Sequence, residues 1–288
     1  MRILLLGATG YLGSNLVECL LKKQYKVTIL KRAESTMTRI IKFLNQVDIL
    51  EYSINDLTVF DLHNYDMLIN CIVSYGRRGE SDTEVAYVNN ILPLRFLESA
   101  VCHKVPFFLN MTTAINSNLN AYVFSKKKFS EWGSYYAQSG KICFLNCLLE
   151  HFYGPFEQKD IKFVSSMIHR LHSNEPQIEL TKGEQLRDFI YIDDVMDAIL
   201  AIVGNIDTFN SYSNVSIGSG VAIKIKELVC NIKLQLNSSS NLCFGAIPYR
   251  ENEVMYSCAN TEKLMQLGWV YKTSIFEGIK KIIDAEKL

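Results

Sequence analysis

The N-terminus constrains the fold more than any other stretch. Arg2–Leu6 is a short apolar run, and Gly7-Ala8-Thr9-Gly10-Tyr11-Leu12-Gly13 follows it directly. Leu16, Val17, Leu20 and Leu21 then recur at helical spacing. A buried strand, a glycine-rich turn and a helix, in that order, is the context that a dinucleotide fingerprint requires. Glycines let the backbone turn tightly and approach a pyrophosphate, and the helix N-terminus offers unpaired N–H groups and a positive dipole end. A plain tight turn would not need the three features in sequence.

Strand-like runs recur near residues 26–30, 48–52, 67–73, 105–111 and 141–149, with helical patterns at 35–45, 87–103 and 121–139. This alternation predicts an α/β fold, a Rossmann-type doubly wound parallel sheet, with a smaller C-terminal α/β region that binds substrate. With 288 residues, 48% of them hydrophobic, the chain can bury a sizeable core. Five prolines leave no Pro-rich linker between independent halves. Asn237-Ser238-Ser239-Ser240 reads as a surface turn.

Charge and cysteine usage exclude several classes of function. A formal net charge of zero argues against a nucleic-acid partner, which normally selects a basic excess. Ile3 to Leu6 is too short for a secretory signal core, and no run approaches the ~20 apolar residues of a membrane span. The eight cysteines are scattered and form no Cys-x-x-Cys pair, so free thiols in a reducing cytoplasm are expected. His169 and His172 lack an accompanying carboxylate or cysteine cluster. They read as a solvated helix face, and no metal site is expected.

The second strand ends in Lys31-Arg32, where an NAD enzyme usually carries a carboxylate for the ribose 2′-hydroxyl. Two cations there favour a 2′-phosphate, so NADP (NADPH) is expected ahead of NAD. Further on, Tyr122 and Lys126 are four residues apart and share a helix face. An ammonium beside a phenol favours the phenolate, and such a tyrosine can exchange a proton with a sugar oxygen. Alone, Tyr-x-x-x-Lys also describes an ordinary amphipathic helix. Here it follows a matching glycine turn and a Thr112-Thr113 pair at a strand end, and that combination is specific.

The Gly-x-x-Gly-x-x-Gly spacing of Gly7, Gly10 and Gly13, with these later motifs, resembles the extended short-chain dehydrogenase/reductase (NAD-dependent epimerase/dehydratase) family. The resemblance covers nearly the whole chain. It implies that Gly7, Thr9, Gly10, Tyr11, Leu12 and Gly13 contact the dinucleotide, and that Asp56 and Leu57 hold the adenine. It implies that Asn89 supports the active-site lysine, and that Tyr122 and Lys126 serve both catalysis and cofactor binding. Aligned on the family's Ser-Ser or Ser-Thr pair, Thr113 is the expected catalytic hydroxyl, with Thr112 as the alternative.

In the second half, Glu150-His151-Phe152-Tyr153-Gly154-Pro155 stands where relatives read Asn-x-Tyr-Gly-Pro. His151 replaces the Asn that contacts the nucleotide-sugar phosphate. Arg187-Asp188-Phe189 matches the family's Arg-Asp-Phe stretch, which implies that Arg187 binds the diphosphate. Arg250-x-x-Glu253 implies an Arg at the phosphate and an acid at the ribose. Leu267-Gly268-Trp269 fits the C-terminal pattern and reads as packing. These assignments divide the chain into an NADP-binding domain (residues 1–148) and a nucleotide-sugar-binding region (residues 149–288), some of whose segments return to the Rossmann sheet.

Tyr75-Gly76-Arg77, Leu149-Glu150-His151-Phe152-Tyr153-Gly154 and Asn252-Glu253-Val254-Met255-Tyr256-Ser257-Cys258-Ala259 are most similar to CDP-3,6-dideoxyhexose synthases of the paratose and abequose type. That resemblance implies NADPH-dependent reduction of the 4-keto group of a CDP-4-keto-3,6-dideoxyhexose, for O-antigen sugars. A nucleotide-sugar 4-epimerase or a dTDP- or GDP-sugar 4-ketoreductase is the alternative on the same scaffold. A non-catalytic NADP-binding protein is the alternative of another class, and it would have no need of Thr113, Tyr122 and Lys126. Relatives often dimerise through two long helices, so a homodimer is expected.

Overall fold

The computed structural model describes residues 1–52, 61–115, 119–159 and 162–288. In chain order its elements begin β1 (Arg2–Leu6), α1 (Tyr11–Lys22), β2 (Lys26–Arg32), β3 (Asp48–Tyr52) and β4 (Met67–Asn70). Next come α2 (Asp82–Ala86), α3 (Leu92–Cys102), β5 (Phe107–Thr113), α4 (Ala121–Gln138), β6 (Cys143–Leu149) and β7 (His151–Tyr153). They continue with α5 (Phe163–His172), β8 (Gln177–Leu180), β9 (Leu186–Tyr191), α6 (Ile192–Gly204), β10 (Tyr212–Ile217) and β11 (Ala222–Lys224). The last are α7 (Ile225–Gln235), β12 (Asn241–Phe244), β13 (Tyr256–Ser257), α8 (Glu262–Gln266) and α9 (Ile275–Glu286).

Contacts divide the chain into two units, residues 1–148 with 199–215, and residues 149–198 with 216–288. The first is built on a seven-stranded sheet in the order β10-β6-β5-β4-β1-β2-β3. β1 pairs in parallel with β2 and β4, β2 with β3, and β4 with β5. The order runs outward from β1 in both directions, as expected of a doubly wound Rossmann sheet, and puts the crossover point beside β1. Ile3, Leu4, Leu5 and Leu6 have no exposed surface. A strand covered on both faces explains why this run is apolar without alternation.

Packing sets the position of α4. Phe108 and Phe144 stack at 5.3 Å between centroids, and Phe129 of α4 meets both edge-on. A Cβ at Gly133 would clash with the Phe144 ring, so glycine lets α4 lie directly on the sheet. The helix opens at Asn120, whose side chain accepts the Val123 amide at 3.0 Å.

Several local expectations change. The stretch at 35–45 forms a 3₁₀ turn over Thr38–Phe43 rather than an α-helix. The long helix ending at Cys102 is interrupted by a π-helical turn over Tyr87–Ile91. The Asn237–Ser240 turn is only half a surface feature: Asn237 and Ser239 are exposed, whereas Ser238 and Ser240 are buried. Ser238 Oγ donates to the Leu171 carbonyl at 2.6 Å, at the end of α5, where that carbonyl also accepts the Asn174 amide at 3.1 Å.

The second unit holds β9 flanked by antiparallel β11 and parallel β13 and β7, with a separate parallel β8–β12 pair. Asp188 of β9 has no exposed surface and accepts the amides of Ser219 (2.8 Å), Gly220 (3.0 Å) and Ala259 (3.1 Å). One carboxylate thereby pins two loops to the strand. Trp269 is buried, its indole N–H donating to the Asp194 carbonyl at 3.1 Å, and Gly268 ends the preceding helix at φ +81°. That agrees with the packing role read from Leu267-Gly268-Trp269. His169 is no solvated face: its side chain is 16% exposed and its Nε2 lies 3.1 Å from Glu286. No helix among the described residues is long and apolar enough to cross a membrane.

Candidate active site

In the first unit the site grows from the carboxyl end of β1. Gly7 has φ +77°, and a Cβ there would come within 2.9 Å of the Cys71 carbonyl group and of Ile72 N. A Cβ at Gly13 would overlap the Gly7 carbonyl oxygen. The Gly10 amide donates to the Gly7 oxygen at 3.1 Å and closes the turn. Gly10 then caps α1 with no side chain, and no acid stands in the first turn. A cradle that side chains would fill, below a helix start without a built-in acceptor, fits the pyrophosphate of a dinucleotide. Thr9 is half-buried, Leu12 is buried, and the Tyr11 ring lies 5.3 Å from the Arg39 guanidinium.

The basic pair at the end of β2 is compensated. Lys31 reaches Glu51 on the neighbouring strand at 2.5 Å, and Arg32 meets Glu34 at 3.3 Å. Strand register puts Lys31 opposite Glu51, a contact that a local reading of Lys31-Arg32 does not anticipate. Asp56 and Leu57 lie outside the described residues.

Lys126 is 2% exposed, and its Nζ donates to the carbonyl oxygens of Ile72 at 2.8 Å and Met111 at 3.0 Å. Burial lowers its pKa to about 8, with the buried Cys71 beside it acting weakly in the other direction. Burial also pushes the Cys71 thiol up to about 12, so it stays a neutral neighbour. One turn before Lys126, the Tyr122 ring is half-buried, 5.0 Å from the Tyr75 ring at a tilt of 45°. Thr113 ends β5 half-buried, its Oγ1 accepting the Ile115 amide at 3.2 Å, whereas Thr112 is buried. Successive strand residues face opposite sides. The partly exposed hydroxyl is therefore that of Thr113.

Asn89 is fully buried in the π-helical turn and bonds the loop after β4 and the helix that carries Lys126. Its Oδ1 accepts the Ser74 amide at 2.8 Å, and its Nδ2 donates to the Ser74 carbonyl at 2.8 Å and to Ser125 Oγ at 3.1 Å. Ser125 Oγ in turn donates to the Tyr122 carbonyl at 3.0 Å. Asn89 thus clamps the loop after β4 and ties it to the turn that bears Tyr122 and Lys126.

In the second unit Arg187 is 8% exposed and donates to Glu253 at 2.6 Å. Burial works against its charge, and Glu253 and Glu150 sustain it. Both Glu150 oxygens accept from Ser257 Oγ, at 2.8 and 2.9 Å, and His151 Nδ1 lies 3.6 Å from Glu150. Arg187, Glu253, Glu150, Ser257 and His151 form one polar group on β7, β9 and β13 and the segments beside them. Arg250 is exposed, and its carbonyl accepts the Glu253 amide at 3.1 Å.

The model of the NAD dependent epimerase/dehydratase family matches residues 3–218. The chain belongs to that family. It is 33% identical to the CDP-abequose synthase of Salmonella muenchen, over 99% of this chain and 98% of that one. It is 29% identical to the CDP-abequose synthase of Yersinia pseudotuberculosis, over 88% and 91%. Among solved structures it is similar to a UDP-glucose 4-epimerase with UDP-glucose from Thermotoga maritima, with TM-score 0.84, 21% identity, and 100% and 99% of the two chains covered. It is also similar to a UDP-glucuronic acid 4-epimerase from Bacillus cereus in complex with UDP-glucuronic acid and NAD, with TM-score 0.85, 20% identity, and 100% and 99% covered. These structures agree with the Rossmann-type sheet of this family member.

Sequence reasoning passed over Glu150, Ser257 and Asp188 as site or scaffold residues, and over the carbonyls that hold Lys126. An acid next to Arg187 in Arg-Asp-Phe was a visible signal for Asp188. Glu150 and Ser257 are 107 residues apart and carried none. The described residues also gather Asp61, His63 and His103, with ligand atoms within 4.8 Å of one another. They precede β4 and β5, at the edge of the sheet away from Gly7, and take no part in this site.

Proposed function

We propose that this chain is an NADPH-dependent nucleotide-sugar 4-ketoreductase that converts a CDP-4-keto-3,6-dideoxyhexose to CDP-abequose or CDP-paratose. The observation that carries the proposal is the buried Lys126 ammonium, held by two backbone carbonyls one helical turn from Tyr122. A non-catalytic binding module has no use for a buried cation in that place, since desolvation opposes it. Near full-length similarity to CDP-abequose synthases supports the substrate class.

NADPH, when bound at the Gly7–Gly13 cradle, supplies the hydride. Tyr122 Oη donates its proton to the sugar O4 as negative charge develops there. Lys126 lowers the cost of the resulting phenolate, and Thr113 Oγ1 donates a hydrogen bond to the same oxygen. Donors placed in advance stabilise the charged transition state more than the neutral ketone. In the second unit Arg187 takes the diphosphate, exchanging its bond with Glu253, which turns to the nucleotide ribose. His151 and Arg250 are further ligands of the same phosphates on this reading, as the family resemblance implies. This reading places the protein in surface-polysaccharide synthesis in the cytoplasm, as a homodimer.

The test is NADPH consumption against CDP-, dTDP-, UDP- and GDP-linked 4-keto sugars, followed by NMR of the product. Turnover confined to a non-CDP sugar overturns the substrate assignment. The pairing of Lys31 with Glu51 and of Arg32 with Glu34 favours a second reading, an NAD-dependent 4-epimerase, because it removes free positive charge from the 2′-phosphate position. Tightly held NAD in the purified protein, with no need for added NADPH, would select that reading.

A further inference from the structure

A line of amides crosses the centre of the first unit's sheet. Asn70 on β4, Asn110 on β5 and Asn146 on β6 are each at most 1% exposed. Asn70 Nδ2 donates to Asn110 Oδ1 at 3.0 Å, and Asn110 Nδ2 donates to Asn146 Oδ1 at 2.9 Å. Asn146 Nδ2 donates to Tyr212 Oη and to Asn214 Oδ1 on β10, both at 3.0 Å. The chain of bonds therefore spans four adjacent strands. Asn70 and Asn110 are direct partners in the strand register, so sheet geometry itself aligns the first rung.

Burying these amides adds no hydrophobic stabilisation. Apolar residues of similar size would hold the sheet at least as well, while a satisfied polar network specifies one arrangement. Where the line leads is informative. Asn70 Oδ1 accepts the amide of Ile72, whose carbonyl holds Lys126 Nζ. Asn110 immediately precedes Met111, whose carbonyl is the other acceptor of Lys126. Ser130 Oγ of α4 bonds Asn146 Oδ1 at 3.0 Å and the Lys126 carbonyl at 3.2 Å, which links the line to the helix one turn beyond the lysine.

We infer that Asn70, Asn110 and Asn146, with Ser130, are positioning residues that set the carbonyl cradle of Lys126 and the seat of α4 on the sheet. The inference rests on the catalytic reading of Lys126 for its consequence in turnover, but its geometric content does not. Fixing β4, β5 and α4 relative to one another keeps both acceptors in reach of one ammonium. A misplacement of ~1 Å in such a group costs about 100-fold in rate.

The test compares wild type with N70L/N110L/N146L, which removes all three amides together and with them their bonds to the Ile72 amide, Tyr212 and Asn214, and with Ser130→Ala, which cuts the link to α4. Competitive labelling of Lys126 with acetic anhydride across pH reads the lysine directly and needs no substrate. Wild type is expected to titrate at about 8. The triple variant is expected to titrate higher, towards the ordinary lysine value, as water reaches the ammonium, and Ser130→Ala to move the same way by less. Turnover should fall about 10- to 100-fold in the triple variant, with the NADPH dissociation constant changed less than about 3-fold. An unmoved Lys126 titration in a folded triple variant overturns the inference. If the triple variant does not fold, an unmoved titration in Ser130→Ala does so. A shifted titration in a protein with no activity on any 4-keto sugar would sustain the positioning role and reject the reductase reading.

Discussion

Replacing Lys126 with Met should change how stability depends on pH. Lys126 is 2% exposed, and burial lowers its pKa from 10.5 to about 8. Between those values the unfolded chain carries a proton on this side chain that the folded chain has released. Raising pH through that window therefore stabilises the wild-type fold, and below about 8 the full penalty of the buried charge is present. At ~1.36 kcal/mol per pH unit the window is worth roughly 3 kcal/mol. At neutral pH, Lys126→Met removes that penalty but strands the Ile72 and Met111 carbonyls, at about 1–3 kcal/mol each, so the two proteins should differ little there. The readout is the difference in unfolding free energy, from urea titrations between about pH 6.5 and 10.5. Wild type should gain roughly 3 kcal/mol on the variant across that range, with no difference in slope below about pH 7. Curves parallel to within about 0.5 kcal/mol would refute the buried-ammonium argument, and with it the physical basis for Lys126 tuning Tyr122.

Tyr122→Phe should lower kcat by about 100- to 10,000-fold while NADPH binding, followed by fluorescence titration, changes only a few-fold. Unchanged turnover would reject the proton-donor role. Gly7→Ala meets both a left-handed φ of +77° and the Cys71–Ile72 backbone. It should cost roughly 1–2 kcal/mol from the conformation alone, with a further loss from the clash, and dinucleotide binding should fall with the melting temperature. Asp188→Ala removes the acceptor of the Ser219, Gly220 and Ala259 amides, of which the first is buried and the other two partly so. A loss of about 3–5 kcal/mol in denaturant unfolding is expected, from one buried and two partly buried amides left unpaired. Glu51→Gln frees Lys31 from its partner and should raise the NADPH over NADH preference in steady-state kinetics. An unchanged ratio would remove Lys31 from the 2′-phosphate site.

The order of elements in the first unit was legible because each signal is local. Apolar runs without alternation mark strands covered on both faces, and Gly7, Gly10 and Gly13 mark a turn that only backbone can fill. Thr113 and Tyr122 could be named for a similar reason, since a strand end and a helix start hold them. Lys31 shows the limit: its charge looked available until strand pairing brought Glu51 against it. Asn89 was read as support for Lys126, and its hydrogen bonds to the Ser74 backbone and to Ser125 Oγ are contacts that no local pattern names. The serines at 238 and 240 read as surface because their sequence is polar, yet both are buried, Ser238 against the Leu171 carbonyl at the end of α5.

Sequence by itself determined the strand–turn–helix start, the parallel α/β alternation and the residue types available for proton transfer, all encoded over a few neighbouring positions. Tertiary structure decided which charges are free, which carbonyls hold Lys126, and that three asparagines about 40 residues apart form one line. Those depend on desolvation and on pairing between distant strands, and neither is a property of any short stretch of chain.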